Sequence, residues 1–313
     1  MSLEPRVDPA ADRRANYDYR SEDVDRPALV ADLERVAGCS VRADSYSRQL
    51  YATDASAYEV TPIAVAFPES TADVAAVLEY CSNRGIPVLP RGGGTSLAGQ
   101  TVNRAVVLDF TRHMNDILEV DPDTRTATVQ PGTILGTLNE TLAAYDLKFA
   151  PDPAWGDKSA IGGAIGNNST GSHSLKYGKT DAYLESAEVV LADGTVTEFG
   201  EVTLEELAER ADPEGDLEGR IYAKVDHILD EESDLIDDAT PISSATSRGT
   251  ISTDSSQKLR VTAFPAMRTL ARRARSTSPA CLPAAKARWQ SSPSDRLARA
   301  GARNEGCLPA MLS

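Results

Sequence analysis

The sequence predicts an α+β domain followed by a tail of different character. Three observations point there. Helical and strand patterns alternate without becoming strict βαβ units or an all-β run. The strands that can be read are short, as in IAVAF, IPVLP and AVVLDF. The acidic charge stops abruptly, with 44 Asp and Glu against 20 Lys and Arg in residues 1–238, and 3 against 12 in residues 239–313.

Residues 1–26 are polar and read as a loose leader. From Arg26 to Ala37, Leu29, Leu33 and Val36 recur at helical spacing, with Asp25 placed as N-cap. Residues 63–70 read as a strand entering a turn, and TADVAAVLEYCSNRG as a helix capped by Ser70 or Thr71 and stopped at Gly85. Residues 86–90, 105–110 and 126–132 are further strands, and 133–146 is helical. A glycine-rich loop region then extends to about Gly178. Residues 184–200 read as a hairpin turning at Ala192-Asp193-Gly194, and LEELAER and GRIYAKVDHILDEES as helices.

Composition excludes several classes. Cys39, Cys81, Cys281 and Cys307 lie far apart with no CxxC pair, against a zinc site, a cluster within this chain or a disulfide framework. No metal site is expected. The N-terminus lacks an apolar signal region, and no run approaches the length of a membrane span, so a cytoplasmic protein is expected. The acidic body suits solubility at high salt, and with it a halophilic source.

Two loops carry the chemistry. The first, PRGGGTSLAGQ (Pro90 to Gln100), follows a buried strand. Consecutive glycines let backbone N–H groups turn toward an anion without Cβ clashes, and Arg91, Thr95 and Ser96 would add donors. It is neither a P-loop, for no lysine follows, nor GxGxxG, because Gly92 and Gly94 are followed by Gly99. A tight turn between strands is the bland alternative. The second loop, PDPAWGDKSAIGGAIGNNSTGSHSLKYG (Pro151 to Gly178), is too long and too rich in glycine for an idle connection. Its small residues would let a flat ligand approach the main chain, and its neutral donors suit a heteroaromatic ring with a diphosphate.

RGGGTSLAGQ, then PDP…IGGAIGNNSTGSHSLKYG, then VVLADG together resemble the FAD-binding domain of the vanillyl-alcohol-oxidase/p-cresol-methylhydroxylase type. Within that type, the branch of D-lactate dehydrogenase and the glycolate oxidase D-subunit is the nearest likeness, over residues 45–238. The resemblance implies a two-lobed α+β domain spanning 27–238, incomplete at its C-terminal end. It places the FAD diphosphate at Arg91, Gly92, Gly93, Gly94, Thr95, Ser96 and Gly99. It lines the flavin and ribityl chain with Asp152, Pro153, Ser159, Ile161, Gly162, Gly163, Asn168, Gly171 and Tyr177. No histidine stands in the first loop, so FAD is expected to be noncovalent. His173 is a candidate for cofactor contact or proton transfer, and His113 and His227 for ordinary surface positions. Cys39 and Cys81 are expected to be buried small hydrophobes.

In this family a substrate domain follows, and none is recognisable after Asp238. Read one base out of register, Ala239 to Ser255 can encode RYPDLKRNVSGYNLDRL. Ala274 to Ser294 can encode GTVNLARLLAGSEGTLA, then Ile or Val, then VTE. Both resemble the family's continuation, so residues 239–313 are expected to be out-of-frame translation and unstructured. A basic arm for polyanions is the competing reading, with few aromatics to support it. The resemblance implies hydride transfer from a D-2-hydroxy acid, lactate or glycolate, to FAD, with a quinone or an iron–sulfur domain or subunit as acceptor. No catalytic residue can be assigned, and a non-catalytic flavin-binding module is the alternative.

Overall fold

The computed structural model describes residues 24–153, 155–171 and 173–239, with the backbone of 258–259, 282–290 and 292–293. The leader therefore lies outside the described residues as far as residue 23; Val24 is already buried in the core.

The N-terminal lobe is built by short-range signals. Helix α1 (Arg26–Ala37) starts where Asp25 accepts the Ala28 N–H, and ends at Gly38, whose φ of 73° suits glycine. Strand β1 (Ser40–Arg42) and helix α2 (Ser45–Leu50) follow. Strand β2 (Ala64–Phe67) leads into α3 (Thr71–Ser82), which opens with a capping box between Ser70 and Asp73. Strands β3 (Val88–Arg91) and β4 (Val106–Asp109) complete a four-stranded sheet in the order β1-β2-β4-β3. Its two ladders to β4 are parallel, and β1 joins β2 antiparallel. Both faces of β2 and β4 are covered, which is why these strands read as unbroken apolar runs. Ala64, Ala66, Val106 and Leu108 pack under α1 and α3, while Val65, Phe67 and Val107 form a second small cluster.

The second lobe is an antiparallel sheet. Strands β5 (Ile117–Asp121) and β6 (Thr126–Val129) form a hairpin, followed by helix α4 (Leu135–Ala143) and the short β7 (Leu147–Lys148). Within the second glycine-rich loop lie two helices, α5 (Ile161–Asn167) and α6 (Ser174–Tyr177), and just after it a 3-10 turn, Thr180–Tyr183. Strands β8 (Leu184–Val190) and β9 (Val196–Phe199) form the expected hairpin, turning at Gly194 with φ 92°. After β10 (Val202–Thr203), helix α7 (Leu204–Arg210) is capped by Thr203 and Glu206, and α8 (Leu217–Ala239) is the longest helix described. Leu135, Leu138, Ile161, Val189, Leu191, Leu207 and Tyr222 share its core. The lobes meet where Val190 enters the first lobe's core and Thr71 donates to Glu188 Oε1 at 2.9 Å.

Most of the tail expected to be unstructured lies outside the described residues. Three of its segments are described as backbone. Strand β11 (Lys258–Leu259) pairs with β10, and β13 (Ser292–Pro293) with β7. Strand β12 (Leu282–Gln290) runs antiparallel between β6 and β8, giving the sheet order β5-β6-β12-β8-β9. Its ladder is irregular between Leu282 and Lys286, beside Pro283, which has no N–H to donate.

Candidate functional site

The structure brings the two glycine-rich loops together, and α5 is the joint. Glycine is a poor helix former, at about 1 kcal/mol per residue against alanine, and IGGAIGN contains three. Burial of Ile161, Ala164 and Ile165 at i, i+3, i+4 spacing overrides that preference, which is why the sequence alone reads as loop. At the start of α5, Thr95 and Ser159 share a hydroxyl hydrogen bond of 3.1 Å. At its end, Gln100 Nε2 donates to Asn167 Oδ1 at 2.9 Å.

The first loop is shaped for close approach. A Cβ at Gly93 would drive into the Lys158 carbonyl oxygen, so only glycine lets the loops pack this way. Gly94 has φ 65°, and its carbonyl accepts from the Ala55 N–H. Among the described residues, the amides of Gly93, Gly94, Thr95 and Ser96 donate no hydrogen bond. Ser96 Oγ is bonded to Gln100 Oε1 and accepts from the amides of Ala98 and Gln100. Arg91 was expected to offer donors to the ligand. Its guanidinium instead donates to the carbonyls of Tyr51, Thr53 and Thr101 at 3.3, 2.8 and 2.9 Å. Its fixed contribution is therefore to hold the segment around Tyr51 against the loop. Asp54 closes the same strap by accepting from the Thr101 hydroxyl at 2.9 Å.

The second loop folds back on itself. Pro153 bridges to Gly171, where a Cβ would meet the carbonyls of Asp152 and Pro151. Asp152, at φ 44°, receives Lys148 Nζ at 2.6 Å and lies 3.0 Å from His173 Nδ1. Tyr177 accepts the Tyr183 hydroxyl on its carbonyl at 2.7 Å. Ile161 is fully buried in the core, so only its backbone can line a ligand; the amides of Ile161 and Gly162 donate to Thr133 and Pro131. Gly163, by contrast, is exposed, with nothing within 4 Å of a Cβ built there. A cleft of about 760 Å³ opens between α4 and residues 148–158, with Asp152, Pro153 and the half-exposed Trp155 in its wall.

Sequence reasoning gave no role to the Gln100 and Asn167 side chains, which tie the loops together, and missed Asp181, which braces Asn168 from outside both motifs. His113 and His227 are exposed as expected. Cys39 and Cys81 are buried free thiols; burial first, then Asp73 nearby, pushes Cys39 up to about 11, and burial pushes Cys81 up to about 12. Such groups are packing residues, not thiolates. Among the described residues, no group of His, Cys, Asp and Glu could hold a metal ion, and no helix is long and apolar enough to cross a membrane.

The glycine loop and the clustered second loop thus meet between the four- and five-stranded sheets, where a ligand can approach main-chain donors closely. Residues 62–200 match the family described as "FAD binding domain". D-2-hydroxyglutarate dehydrogenase of Escherichia coli K12 is 35% identical over 217 residues, covering 68% of this chain and 21% of the relative. Glycolate oxidase subunit GlcD of Bacillus subtilis 168 is 42% identical over 156 residues, covering 49% and 33%. The chain thus spans between a fifth and a third of the length of these curated relatives. The structure of 4-ethylphenol oxidase from Gulosibacter chungangensis aligns over 86% of this chain and 43% of its own, with TM-score 0.54 and 20% identity, a likeness of fold.

The residues present fit FAD. Four consecutive amides that donate to none of the described residues make a cradle for a diphosphate.

Proposed function

We propose that this chain is the flavin-binding part of an FAD-dependent enzyme that oxidises a D-2-hydroxy acid, in the class of D-lactate, glycolate or D-2-hydroxyglutarate. The observation supporting it is the joining of two glycine-rich loops across α5, in a domain whose relatives are named for oxidising such acids. Bound FAD supplies acceptance of a hydride from the hydroxyl-bearing carbon. The chain's own residues hold and orient. The amides of Gly93, Gly94, Thr95 and Ser96 offer donors to the diphosphate with little side chain in the way. The Thr95–Ser159 bond and the Arg91 clamp set the loop's shape before any ligand arrives, which lowers the ordering cost of binding. Asp152, Pro153 and Gly171 form a braced edge for the flavin and ribityl chain. Attachment is noncovalent, since Pro90 to Gln100 contains no histidine. Electrons pass to a quinone or to an iron–sulfur domain or subunit.

Residues 239–313 belong, in this reading, to an out-of-register translation, and the shifted frame carries the family's continuation. The nucleotide sequence around codon 238 tests that. A long open frame encoding a substrate domain supports it, and stop codons throughout the shifted frame overturn it.

The function is tested by titrating the purified chain with FAD, followed by flavin fluorescence, and by dye reduction with each of the three acids. FAD uptake without turnover, and turnover once the frame is restored, is the expected pair of results. A frame-restored chain that binds FAD but oxidises none of them favours the alternative of a non-catalytic flavin-binding module. A chain that takes up no FAD ends the proposal.

A further inference from the structure

The turn that ends α5 is organised by a carboxylate that belongs to neither glycine cluster. Asp181 sits in the 3-10 turn and is 8% exposed. Its N–H donates to Asn168 Oδ1 at 3.1 Å, and its Oδ2 accepts from Asn168 Nδ2 at 2.9 Å. This closed pair holds Asn168 in the left-handed region, φ 48° and ψ 56°, which asparagine tolerates better than most residues. Beside it Thr180, 1% exposed, donates its hydroxyl to the Ser169 carbonyl at 2.9 Å. The whole turn is therefore fixed from behind by two buried side chains.

One atom in this arrangement is left over. Asp181 Oδ1 is buried and accepts no hydrogen bond among the described residues. A buried acceptor without a donor costs about 1–3 kcal/mol, more when charged, and folded proteins rarely leave one without a water or ligand to fill it.

Its location limits what the donor can be. Asn168 follows Asn167, which receives Gln100 from the end of the first loop, so Asp181 stands behind the junction of the two loops. A phosphate oxygen brought to a carboxylate would be repelled. The ring imide N–H and the ribityl hydroxyls of a flavin are donors. We infer that Asp181 Oδ1 accepts a hydrogen bond from the flavin–ribityl half of FAD while Oδ2 positions Asn168. Asp181 is thereby a binding residue outside both glycine-rich clusters. This rests on the reading of the domain as flavin-binding.

The substitution Asp181→Asn separates the two oxygens. The amide can keep its oxygen toward Asn168 Nδ2, and it then places an NH₂ group where Oδ1 was. A donor would face a donor. FAD titration by fluorescence quenching should show affinity weakened by about tenfold or more, with the apo-protein's Tm and circular dichroism unchanged. Wild-type affinity in the Asp181→Asn chain overturns the inference and leaves the cofactor reading standing. A wild-type chain that takes up no FAD overturns both. Should the variant not fold, hydrogen exchange on the wild-type chain decides: FAD must slow exchange in residues 168–183, and unchanged exchange there during FAD uptake overturns the inference.

Discussion

The two sheets are completed over very different stretches of chain. Every strand of the first sheet comes from Ser40 to Asp109, and the helices that cover it, α1 and α3, lie in or beside the same stretch. The second sheet begins at Ile117 and obtains its central strand from Leu282–Gln290, far beyond α8. Closing so long a loop costs entropy before any pairing is gained. The first lobe can therefore form from local signals, whereas the second depends on a strand from the segment whose composition departs most from the rest. The cofactor loops span the two: the first leaves β3, while α5 packs in the second lobe's core.

Removing residues 240–313 breaks this comparison open and should give the largest effect. Without β12 the second sheet falls to two separate hairpins, β5–β6 and β8–β9, and an isolated hairpin is at best marginal in water. Hydrogen exchange should accelerate by orders of magnitude in β6 and β8 and stay unchanged in β2 and β4. Equal protection of β6 and β8 in the full and shortened chains would show that the central strand contributes nothing. Replacing the tail by its shifted-frame reading sharpens the test, since a strand selected for that slot should protect β6 and β8 beyond the level of the present chain.

A second, smaller effect separates shape from ligand contact within the joint. Gly93→Ala pushes a Cβ into the Lys158 carbonyl oxygen, and should lower stability by about 1–3 kcal/mol and weaken FAD binding with it. Gly163→Ala meets no atom within 4 Å. It should raise apo stability by up to about 1 kcal/mol, the helix preference of alanine over glycine, while FAD affinity falls if that open space receives the cofactor. Thermal melts with and without FAD read both variants. Parallel behaviour of the two glycines would overturn the distinction.

How much of this could be read from the sequence follows the same division. Asp25 and Leu29 announced α1, Ser70 announced α3, and Asp193-Gly194 announced the β8–β9 turn, because each signal lies within a few residues of what it specifies. The two loops were identifiable as a ligand site from their glycines. That both serve one ligand followed from the resemblance, but the contacts that join them did not, since Thr95–Ser159 and Gln100–Asn167 pair residues more than sixty positions apart. Helix α5 was hidden because three glycines mask the burial of Ile161 and Ile165. Asp181 had no local signal: an aspartate after Lys-Thr gains its meaning from Asn168, which tertiary folding brings beside it. Arg91 shows the same division, since a guanidinium beside a glycine loop suggests phosphate, and only the fold supplies the three carbonyls that engage it.

The smallest predicted effect concerns the first lobe alone, through its two thiols. Cys39 and Cys81 both lie in the first lobe's core, Cys81 on α3 itself, and both are held neutral by burial. An ordinary cysteine has a value of 9.0, and the folded values are raised to about 11 and about 12. Below pH 9 both folded and unfolded chains keep these protons, so the thiols add no pH dependence. Above it the unfolded chain releases protons that the folded one retains, and stability falls as pH rises toward the folded values. Tyr51 adds to the decline only above its ordinary 10.0, because burial and its bond to Asp109 push it upward too. Denaturant melts should therefore be flat to about pH 9 and decline beyond it. A chain carrying Cys39→Ala and Cys81→Ala loses some neutral-pH stability to the vacated volume, yet its melts should stay flat further into the alkaline range. If that double variant declines between pH 9 and 10 as steeply as the parent, the thiols are not the titrating groups. The first lobe would then owe its alkaline limit to something other than its own core.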